Sequence, residues 1–241
     1  MTKRAALIVA AGAGTRMAHA LPKQYLALNE RPLLWYSINV MCNHPAIDTV
    51  CVVLHPEDKW FGQYDWDAFS ERLHPAYCGG ETRAQSVLLG LRQIRDRVSD
   101  DDWLLVHDAA RPCLTHELID RLVHELAADE VGGLLAVPAA DTLKREDGAR
   151  RILRTESREH LWQAQTPQMF RYALLLRALE TADLAGVTDE ASAVEQLNLR
   201  PRLVAGSAEN LKVTFAEDVE LAALILRAQE LRKSAGAGGA K

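Results

Sequence analysis

The strongest constraint on the fold is a short apolar run that ends in a glycine-rich loop near the N-terminus. Residues 5–10 read Ala-Ala-Leu-Ile-Val-Ala and are followed by Ala11-Gly12-Ala13-Gly14. An unbroken apolar run of this length is typical of a parallel strand that is buried on both faces. Glycine-rich turns at the carboxyl ends of such strands bind phosphate, because their backbone N–H groups can point at the anion. The opening of the chain therefore predicts an α/β protein with an anion-binding loop.

The alternation of strands and helices continues along the chain. Short apolar runs predict further strands at residues 49–54, 103–106, 133–137 and 202–205. Helices are predicted between and after them, at residues 33–41, 82–94, 115–128, 172–181 and 190–197, with a final helix that starts near 214. Two capping boxes mark helix starts, Thr82 with Gln85 and Thr214 with Glu217. This order predicts a Rossmann-like, mostly parallel sheet with helices on both faces.

The pattern then breaks, and two short β-capable pieces flank a turn signal. The pieces cover residues 141–145 and 151–154, with Asp147-Gly148 between them. We expect a β-hairpin arm, at about residues 138–160, that projects from the sheet. Its apolar side chains need a partner surface, and a second subunit is the natural one. The alternative is a hairpin that folds back on its own domain.

Composition limits the domain count and the classes of partner. The chain has 241 residues, and we expect a single domain over residues 1–233 with a disordered Gly- and Ala-rich tail at 234–241. The formal net charge of -5 argues against bulk nucleic-acid binding. No apolar run approaches about 18 residues, which argues against a membrane span. Four cysteines without a CxxC pair fit a reduced, cytoplasmic setting without structural zinc.

The glycine-rich loop does not match the two commonest nucleotide-binding fingerprints. The P-loop string G-x-x-x-x-G-K-[ST] does not occur, and Met17 stands where the dinucleotide fingerprint needs a third small residue. On these residues alone, a plain tight turn is the alternative to a phosphate site. Arg16 and Lys23 favour the phosphate site, because two cations beside such a loop suit a triphosphate whose charge redistributes during reaction. Taken by itself, Lys23 is equally well a solvated loop lysine.

Six motifs, in order along the chain, carry a resemblance to a known family. They are Ala10-Ala11-Gly12-x-Gly14-x-Arg16-Met17 with Pro22-Lys23-Gln24-Tyr25, Gly79-Gly80-Glu81-Thr82-Arg83 with Ser86, Val106-His107-Asp108-Ala109-Ala110-Arg111-Pro112, Leu161-Trp162 with Thr166-Pro167-Gln168, Thr188-Asp189-Glu190-Ala191-Ser192, and Asn210-Leu211-Lys212-Val213-Thr214. Together they resemble the 2-C-methyl-D-erythritol 4-phosphate cytidylyltransferases of the nonmevalonate isoprenoid pathway. The resemblance implies a nucleotide-diphospho-sugar transferase type of fold and a homodimer built through the arm. It also implies CTP and 2-C-methyl-D-erythritol 4-phosphate as substrates, with Mg²⁺ or another divalent cation as cofactor.

The resemblance further implies roles for single residues. The catalytic residues are Arg16, Lys23, Arg158 and Lys212. The nucleotide-binding residues are Ala10, Ala11, Gly12, Gly14, Gly80, Glu81, Arg83, Ser86 and Asp108. The residues that bind the sugar phosphate are Ala109, Arg111, Arg158, Thr166, Thr188 and Lys212. Asp108 is also the implied Mg²⁺ ligand, and Arg154 is the alternative to Arg158 because the spacing in this region is loose.

The implied reaction explains what the sequence lacks. A substrate phosphate oxygen attacks the α-phosphorus in line, and because this oxygen is already an anion, no general base is needed. Accordingly, neither a Ser-His-Asp nor a paired-carboxylate signature stands out in the sequence. Two alternatives stay open on the sequence, a ribitol 5-phosphate cytidylyltransferase and a nucleotide-binding regulator that kept the fold and lost catalysis.

Overall fold

A computed structural model describes residues 2–12 and 21–238 of the chain. The strands are β1 Arg4–Val9, β2 Ala27–Leu28, β3 Arg31–Pro32, β4 Thr49–Val53, β5 Leu73–Ala76, β6 Trp103–Asp108, β7 Gly132–Pro138, β8 Leu143–Glu146, β9 Ile152–Glu156, β10 Trp162–Arg171 and β11 Arg202–Ala205. The α-helices are α1 Leu33–Cys42, α2 Arg83–Gln93, α3 His116–Leu126, α4 Tyr172–Thr181, α5 Glu190–Glu195 and α6 Glu217–Gly238. Short 3-10 helices add Lys23–Tyr25, Phe61–Gln63, Asp67–Phe69 and Arg95–Arg97.

Seven strands form the central sheet, in the order β11-β7-β10-β6-β1-β4-β5. Neighbouring strands are parallel except at β10, which is antiparallel to both β6 and β7. The chain proceeds from β1 to β4 and β5 on one side and then returns to β6 on the other side of β1. Such a reversal leaves a crevice at the carboxyl ends of the strands, which is where open α/β sheets bind ligands. The predicted Rossmann-like, mostly parallel sheet is confirmed.

Helices cover both faces of this sheet, as the alternation predicts. Ala6 and Ile8 of β1 belong to a core that includes α1 and α3. Ala5 and Leu7 belong to a second core that includes α2, α4 and α5. Because successive side chains of a strand point to opposite faces, β1 contributes to both cores. This explains why its sequence is uniformly apolar rather than alternating.

The starts of α2 and α6 test the two predicted capping boxes. In α2, the hydroxyl of Thr82 accepts a hydrogen bond from the N–H of Gln85, and the Gln85 side chain accepts one from the N–H of Thr82, so this capping box is confirmed. At α6 the carboxylate of Asp218, not that of Glu217, accepts from the N–H of Thr214 at 2.7 Å. The second capping box is therefore wrong, because α6 begins at Glu217 and only the next side chain reaches back.

The C-terminal helix extends into the segment for which the sequence predicts a disordered tail. α6 continues to Gly238 and so includes residues 234–238 of that segment. Alanine has the highest helix propensity, and extending an existing helix needs no new nucleus, which favours continuation through the Gly- and Ala-rich segment. Residues 239–241 lie outside the described part of the chain. Among the described helices, this one included, none combines the length and the apolarity needed to cross a bilayer.

The arm is a separate two-stranded sheet, in which β8 and β9 pair with each other and, within residues 2–12 and 21–238, with no further strand. The carboxylate of Asp147 accepts hydrogen bonds from the N–H groups of Ala149 and Arg151, which fixes the turn. Ile152 and Leu153 are 67% and 61% exposed. The hairpin therefore projects, as expected, and does not fold back on its own domain.

Candidate active site

A cleft of about 510 Å³ lies at the carboxyl edge of the sheet, beside the ends of β1 and β6. Ten of the predicted site residues line it, namely Ala10, Ala11, Gly12, Lys23, Gly80, Glu81, Arg83, Ser86, Asp108 and Lys212. Gly14 and Arg16 lie outside the described residues. The structure thus brings most of the predicted nucleotide-binding set together with Lys23 and Lys212 in one cleft.

The segment after β1 is fixed to the rest of the cleft by its own backbone. The N–H of Ala10 donates to the carbonyl of Val53 at 2.9 Å, which extends the pairing of β1 with β4. The carbonyl of Ala10 accepts from the buried side chain of Gln24 at 2.7 Å. Gln24 lies in the 3-10 helix that begins at Lys23, so this bond holds Lys23 beside the end of β1. The Lys23 ammonium donates to the carbonyl of Val213 at 2.8 Å.

Two glycines let a second backbone segment approach the cleft closely. The N–H of Gly79 donates to the carbonyl of Leu54 at 2.8 Å, and a Cβ at Gly79 would lie 2.2 Å from the Cβ of Ala11. Only glycine leaves room for that approach. The N–H of Gly80 donates to the hydroxyl of Ser86 at 3.0 Å, which ties the bend to the first turn of α2. Ser86 thus supports the bend from a buried position, and the exposed edge of the bend faces the cleft.

Asp108 is the centre of a chain of alternating charges. Its Oδ1 accepts a hydrogen bond from Nε of Arg83 at 2.8 Å, and its Oδ2 lies 2.7 Å from Nζ of Lys212. The other two guanidinium nitrogens of Arg83 pair with the two carboxylate oxygens of Glu190 at 2.6 and 3.0 Å. Three of these residues line the cleft, and Glu190 lies behind them with 1% of its surface exposed.

The network controls the ionisation of its members. Burial by itself would raise the pKa of Asp108, but Arg83 and Lys212 outweigh it and hold that pKa well below its usual range. Burial lowers the pKa of Arg83, and the charges of Glu190 and Asp108 more than reverse this effect. Burial raises the pKa of Glu190, and Arg83 opposes the rise. Each oxygen of Glu190 accepts from a different nitrogen, which is the geometry of an ionised carboxylate.

The carboxylate of Asp108 is the group that the sequence assigns to Mg²⁺. Mg²⁺ is usually held by one or two carboxylates together with substrate phosphates and water. A carboxylate oxygen accepts two hydrogen bonds or metal contacts, so Asp108 has acceptor capacity beyond its contacts with Arg83 and Lys212. In the described residues no group of three or more His, Cys, Asp or Glu side chains could form a cage for a metal. Asp108 therefore fits the role of a protein ligand to a metal ion that the nucleotide phosphates also bind.

Two residues predicted to bind the sugar phosphate support the cleft from behind. The hydroxyl of Thr166 accepts a hydrogen bond from the N–H of Asp108 at 3.1 Å. Arg111 is 8% exposed and donates to the carbonyls of Asn210 and Ala164 at 2.7 and 3.3 Å. Through Asn210, Arg111 anchors the segment that carries Lys212. The structure therefore places Arg111 in the protein interior rather than on the surface of the cleft.

Three further predicted residues are not among those that line the cleft. Ala109 is buried directly behind Asp108. Arg158 lies on the arm, where its guanidinium donates to the carbonyl of Ala140. The N–H of Thr188 donates to the hydroxyl of Ser192 at 3.0 Å in the loop before α5. The alternative residue Arg154 pairs with Glu156 of its own strand.

Sequence reasoning missed several lining residues and one supporting residue. The unassigned lining residues include His55, Gln24, Thr82, Ala110 and Thr214. Most of them lie inside the motifs already quoted, next to assigned positions. His55 follows the end of β4, and its place at the carboxyl edge of a parallel strand is a signal that sequence reasoning could have used. Glu190 was missed as a partner of Arg83, because no local pattern shows a contact between positions so far apart.

Comparisons with known proteins agree with this arrangement. Residues 4–228 match the family 2-C-methyl-D-erythritol 4-phosphate cytidylyltransferase. The chain is 58% identical over 221 residues to the protein of that name from Azoarcus sp. (strain BH72), with 92% of this chain and 93% of the relative covered. It is 55% identical over 229 residues to the protein of that name from Nitrosomonas eutropha, with 94% of this chain and 98% of the relative covered.

A solved structure gives the same result for the fold. The crystal structure of a 4-diphosphocytidyl-2C-methyl-D-erythritol synthase superposes with a TM-score of 0.82 at 40% identity. The match covers 94% of this chain and 99% of that one. The family match spans nearly the whole chain, and four of the six motifs that carry the resemblance contribute residues to the lining of the cleft. The chain belongs to the 2-C-methyl-D-erythritol 4-phosphate cytidylyltransferase family.

Proposed function

We propose that the protein transfers the cytidylyl group of CTP to the phosphate of 2-C-methyl-D-erythritol 4-phosphate. The products are 4-diphosphocytidyl-2-C-methyl-D-erythritol and pyrophosphate. Family membership supports this reaction, as do the names of relatives that share more than half of their aligned residues with the chain. The observation that carries the proposal is the cleft itself, in which Lys23, Asp108 and Lys212 lie around the end of β1.

The chemistry requires charge stabilisation rather than proton transfer. An oxygen of the sugar phosphate forms a bond to the α-phosphorus, and the bond from that phosphorus to the bridging oxygen breaks. The electron pair leaves with pyrophosphate, and no proton has to move. Lys23 stands beside the end of β1, where the nucleotide phosphates would lie, and its ammonium stabilises the negative charge that gathers on them. Lys212, on the opposite side of Asp108 from Arg83, is positioned for the attacking phosphate.

The nucleoside would lie against the backbone bends rather than against long side chains. Ala11 and Gly80 face the cleft together with Glu81. Cytosine is distinguished from uracil by its 4-amino group, which donates hydrogen bonds to acceptors such as backbone carbonyls. The carbonyl of Ala10 already accepts one bond from Gln24 and has a second acceptor site. These small residues therefore support base recognition by the backbone.

Asp108 is the residue that would hold Mg²⁺ in this cleft. When bound, the ion supplies positive charge that neutralises the nucleotide phosphates. The pairing of Asp108 with Arg83 and Lys212 keeps this carboxylate ionised and oriented. The carboxylate of Asp108 is thus ionised and oriented before the metal ion or a substrate binds.

The active unit proposed here is a homodimer formed through the arm. Ile152 and Leu153 of β9 are both exposed, as are the other residues of the two hairpin strands except the half-buried Leu143 and Glu156. A hairpin uncovered on both faces is marginal on its own, so a second subunit is the partner that would stabilise it. Arg158, at the base of the arm, would then reach the cleft of the other subunit.

All four cysteines are unpaired thiols, which supports a reducing, cytoplasmic location.

One assay separates the proposed function from its alternatives. Pyrophosphate release is measured with CTP, UTP, ATP and GTP, each with 2-C-methyl-D-erythritol 4-phosphate or ribitol 5-phosphate, in the presence of Mg²⁺. We expect release with CTP and the methylerythritol phosphate, and turnover at least about tenfold lower for every other pair. Faster turnover of ribitol 5-phosphate would identify the other cytidylyltransferase. No release with any pair would identify a nucleotide-binding regulator.

A further inference from the structure

Glu190 is a buried carboxylate at the first position of α5, outside the set of residues that line the cleft. Removing a charge from water is expensive, and a buried ion pair is often no more stable than a well-packed apolar pair of the same size. Stability alone therefore gives a weak reason for a carboxylate here. Its partner Arg83 lines the cleft, so the negative charge of Glu190 acts on the site through Arg83.

Hydrogen bonds between Gln168 and the two sequence neighbours of Glu190 fix the position of Glu190. The side chain of Gln168 on β10 accepts a hydrogen bond from the N–H of Ala191 at 2.8 Å and donates one to the carboxylate of Asp189 at 2.8 Å. Both bonds hold the first turn of α5 against the central sheet. Glu190, which lies between these two residues, is consequently a rigid anchor rather than a mobile surface acid.

Three hydrogen bonds connect Glu190 to Asp108 through Arg83. Glu190 accepts hydrogen bonds from both Nη atoms of Arg83, and Nε of Arg83 donates to Asp108. Arg83 therefore occupies a single oxygen of Asp108, and the second oxygen contacts Lys212 at 2.7 Å. A guanidinium prefers to pair with a carboxylate through two parallel hydrogen bonds. Arg83 makes this bidentate pair with Glu190, which fixes the guanidinium in an orientation in which only Nε reaches Asp108.

We propose that Glu190 is a positioning residue for cytidylyl transfer, which acts through Arg83 to keep one oxygen of Asp108 available for Lys212. The inference rests on the proposed function, because it gives Lys212 the attacking phosphate as its target. Without the carboxylate of Glu190, the guanidinium of Arg83 turns so that Nε and one Nη pair with both oxygens of Asp108, and it displaces Lys212. The ammonium then has no fixed place in the cleft, and a misplacement of about 1 Å in a reacting group can lower a rate about a hundredfold.

The test starts with Glu190→Gln, which keeps the shape of the side chain and removes its charge. The amide presents a donor to one Nη of Arg83, so one of the two contacts is lost. We expect kcat to fall between about tenfold and a hundredfold, while KM for both substrates stays within about threefold. Glu190→Asp keeps the charge on a shorter stem and should recover part of kcat. Glu195→Gln removes a charge from an exposed position of the same helix and should leave kcat unchanged.

A double-mutant cycle with Arg83→Gln separates positioning from a general structural effect. If Glu190 acts through Arg83, the fall in kcat caused by Glu190→Gln is largely lost in the Arg83→Gln background. A structural role would lower the melting temperature and the folded fraction, but kcat per folded molecule would stay within about twofold of wild type. That result, or an equal fall in both backgrounds, overturns the proposal. If Glu190→Gln fails to fold, Glu190→Asp is compared with wild type in the same cycle.

A structural readout separates this inference from the proposed function. In a crystal structure of Glu190→Gln, we expect Arg83 to contact both oxygens of Asp108 and Lys212 Nζ to lie more than about 4 Å from that carboxylate, beyond ion-pair range. An unchanged contact between Lys212 and Asp108 overturns the inference, whatever the activity of the protein. A wild-type enzyme that releases no pyrophosphate overturns the proposed function and leaves this structural comparison valid.

Discussion

Gly79 shows at the residue scale how the shape of the cleft depends on a missing side chain. A Cβ at this position would lie 2.2 Å from the Cβ of Ala11 and 2.9 Å from the carbonyl oxygen of Leu54. Both contacts are with segments that cannot move without disturbing β1 or β4. We expect Gly79→Ala to lower the free energy of unfolding by about 1–3 kcal/mol. It should also raise KM for CTP, because Ala11 and Gly80 are displaced.

Urea unfolding and steady-state kinetics measure the two effects of this substitution. Gly62→Ala is the matched control, because a Cβ at Gly62 meets nothing within 4 Å. This control should change neither the unfolding midpoint nor KM for CTP. Equal stability of the Gly79→Ala variant and wild type would show that the approach of the two backbone segments is looser than the structure indicates.

Lys23 is the residue whose removal should affect the chemical step most directly among the described cations. Its ammonium lies beside the end of β1 and contacts the carbonyl of Val213. Lys23→Ala removes a positive charge from the place where charge develops in the transition state, so we expect kcat to fall about a hundredfold or more. The circular dichroism spectrum should be unchanged. Lys59→Ala, at an exposed lysine, is the control, and a kcat for Lys23→Ala within about twofold of that control would contradict the assigned role.

Single residues also mark the limit of what the sequence reveals about the site. The family resemblance assigns Ala10, Ala11 and Asp108 to the site, and their places at the ends of β1 and β6 fit the common edge at which parallel strands end. The family resemblance assigns Arg83 to nucleotide binding, whereas Thr82 and Arg83 on their own form an ordinary helix start. The pairing of Arg83 with Glu190 was not predictable, because the two are 107 positions apart and each stands in an ordinary helix-start pattern.

At the scale of elements, the start of α6 links helix stability to the segment that carries Lys212. The carboxylate of Asp218 accepts hydrogen bonds from the N–H groups of Thr214 and Phe215 at 2.7 and 2.8 Å. Asp218→Ala removes both bonds, so we expect a loss of about 0.5–2 kcal/mol in the free energy of unfolding, as for other helix caps. Denaturant unfolding at neutral pH measures the change.

Glu217 provides the control for this prediction, because it also lies in the first turn and bears the same charge. It is exposed and does not take the capping role that the sequence pattern gave it. Glu217→Ala should therefore change the free energy of unfolding by less than about 0.5 kcal/mol. A larger loss for Glu217→Ala than for Asp218→Ala would show that the original capping-box prediction was the better one.

Which elements the sequence predicts depends on how much of each strand is apolar. β1, β4, β6 and β7 are apolar and buried on both faces, and the sequence predicts all four. β10 was missed as a strand, because its middle reads Gln165-Thr166-Pro167-Gln168, although all of these residues are buried. The side chains of Thr166 and Gln168 accept hydrogen bonds from residues of β6 and α5, and a shift in strand register accommodates the proline. Neither feature is visible in a local sequence pattern.

At the scale of the whole molecule, most apolar side chains of the central sheet are buried within one chain, whereas Ile152 and Leu153 of the arm are exposed. The central sheet has helices on both faces, so its apolar strands are covered. Within the described part of the chain, β8 and β9 have no such cover, and Ile152 and Leu153 expose their apolar side chains. The sequence predicts the projecting hairpin from its Asp-Gly turn and the two short β-capable pieces beside it, but a pattern in one chain cannot identify the surface that covers it.

The arm therefore carries the last prediction, which concerns assembly. The double substitution Ile152→Asp with Leu153→Asp replaces the two exposed apolar side chains of β9 with charges, and burying either charge at a subunit interface would be strongly unfavourable. We expect the wild-type protein to sediment as a dimer in analytical ultracentrifugation and the double variant as a folded monomer. The variant should also have a raised KM for the sugar phosphate, because Arg158 can no longer reach a neighbouring cleft. Leu231→Asp, at a leucine of α6 that is 66% exposed, is the control and should remain dimeric. A wild-type monomer, or a double variant that dimerises as well as this control, would show that the arm does not hold two subunits together.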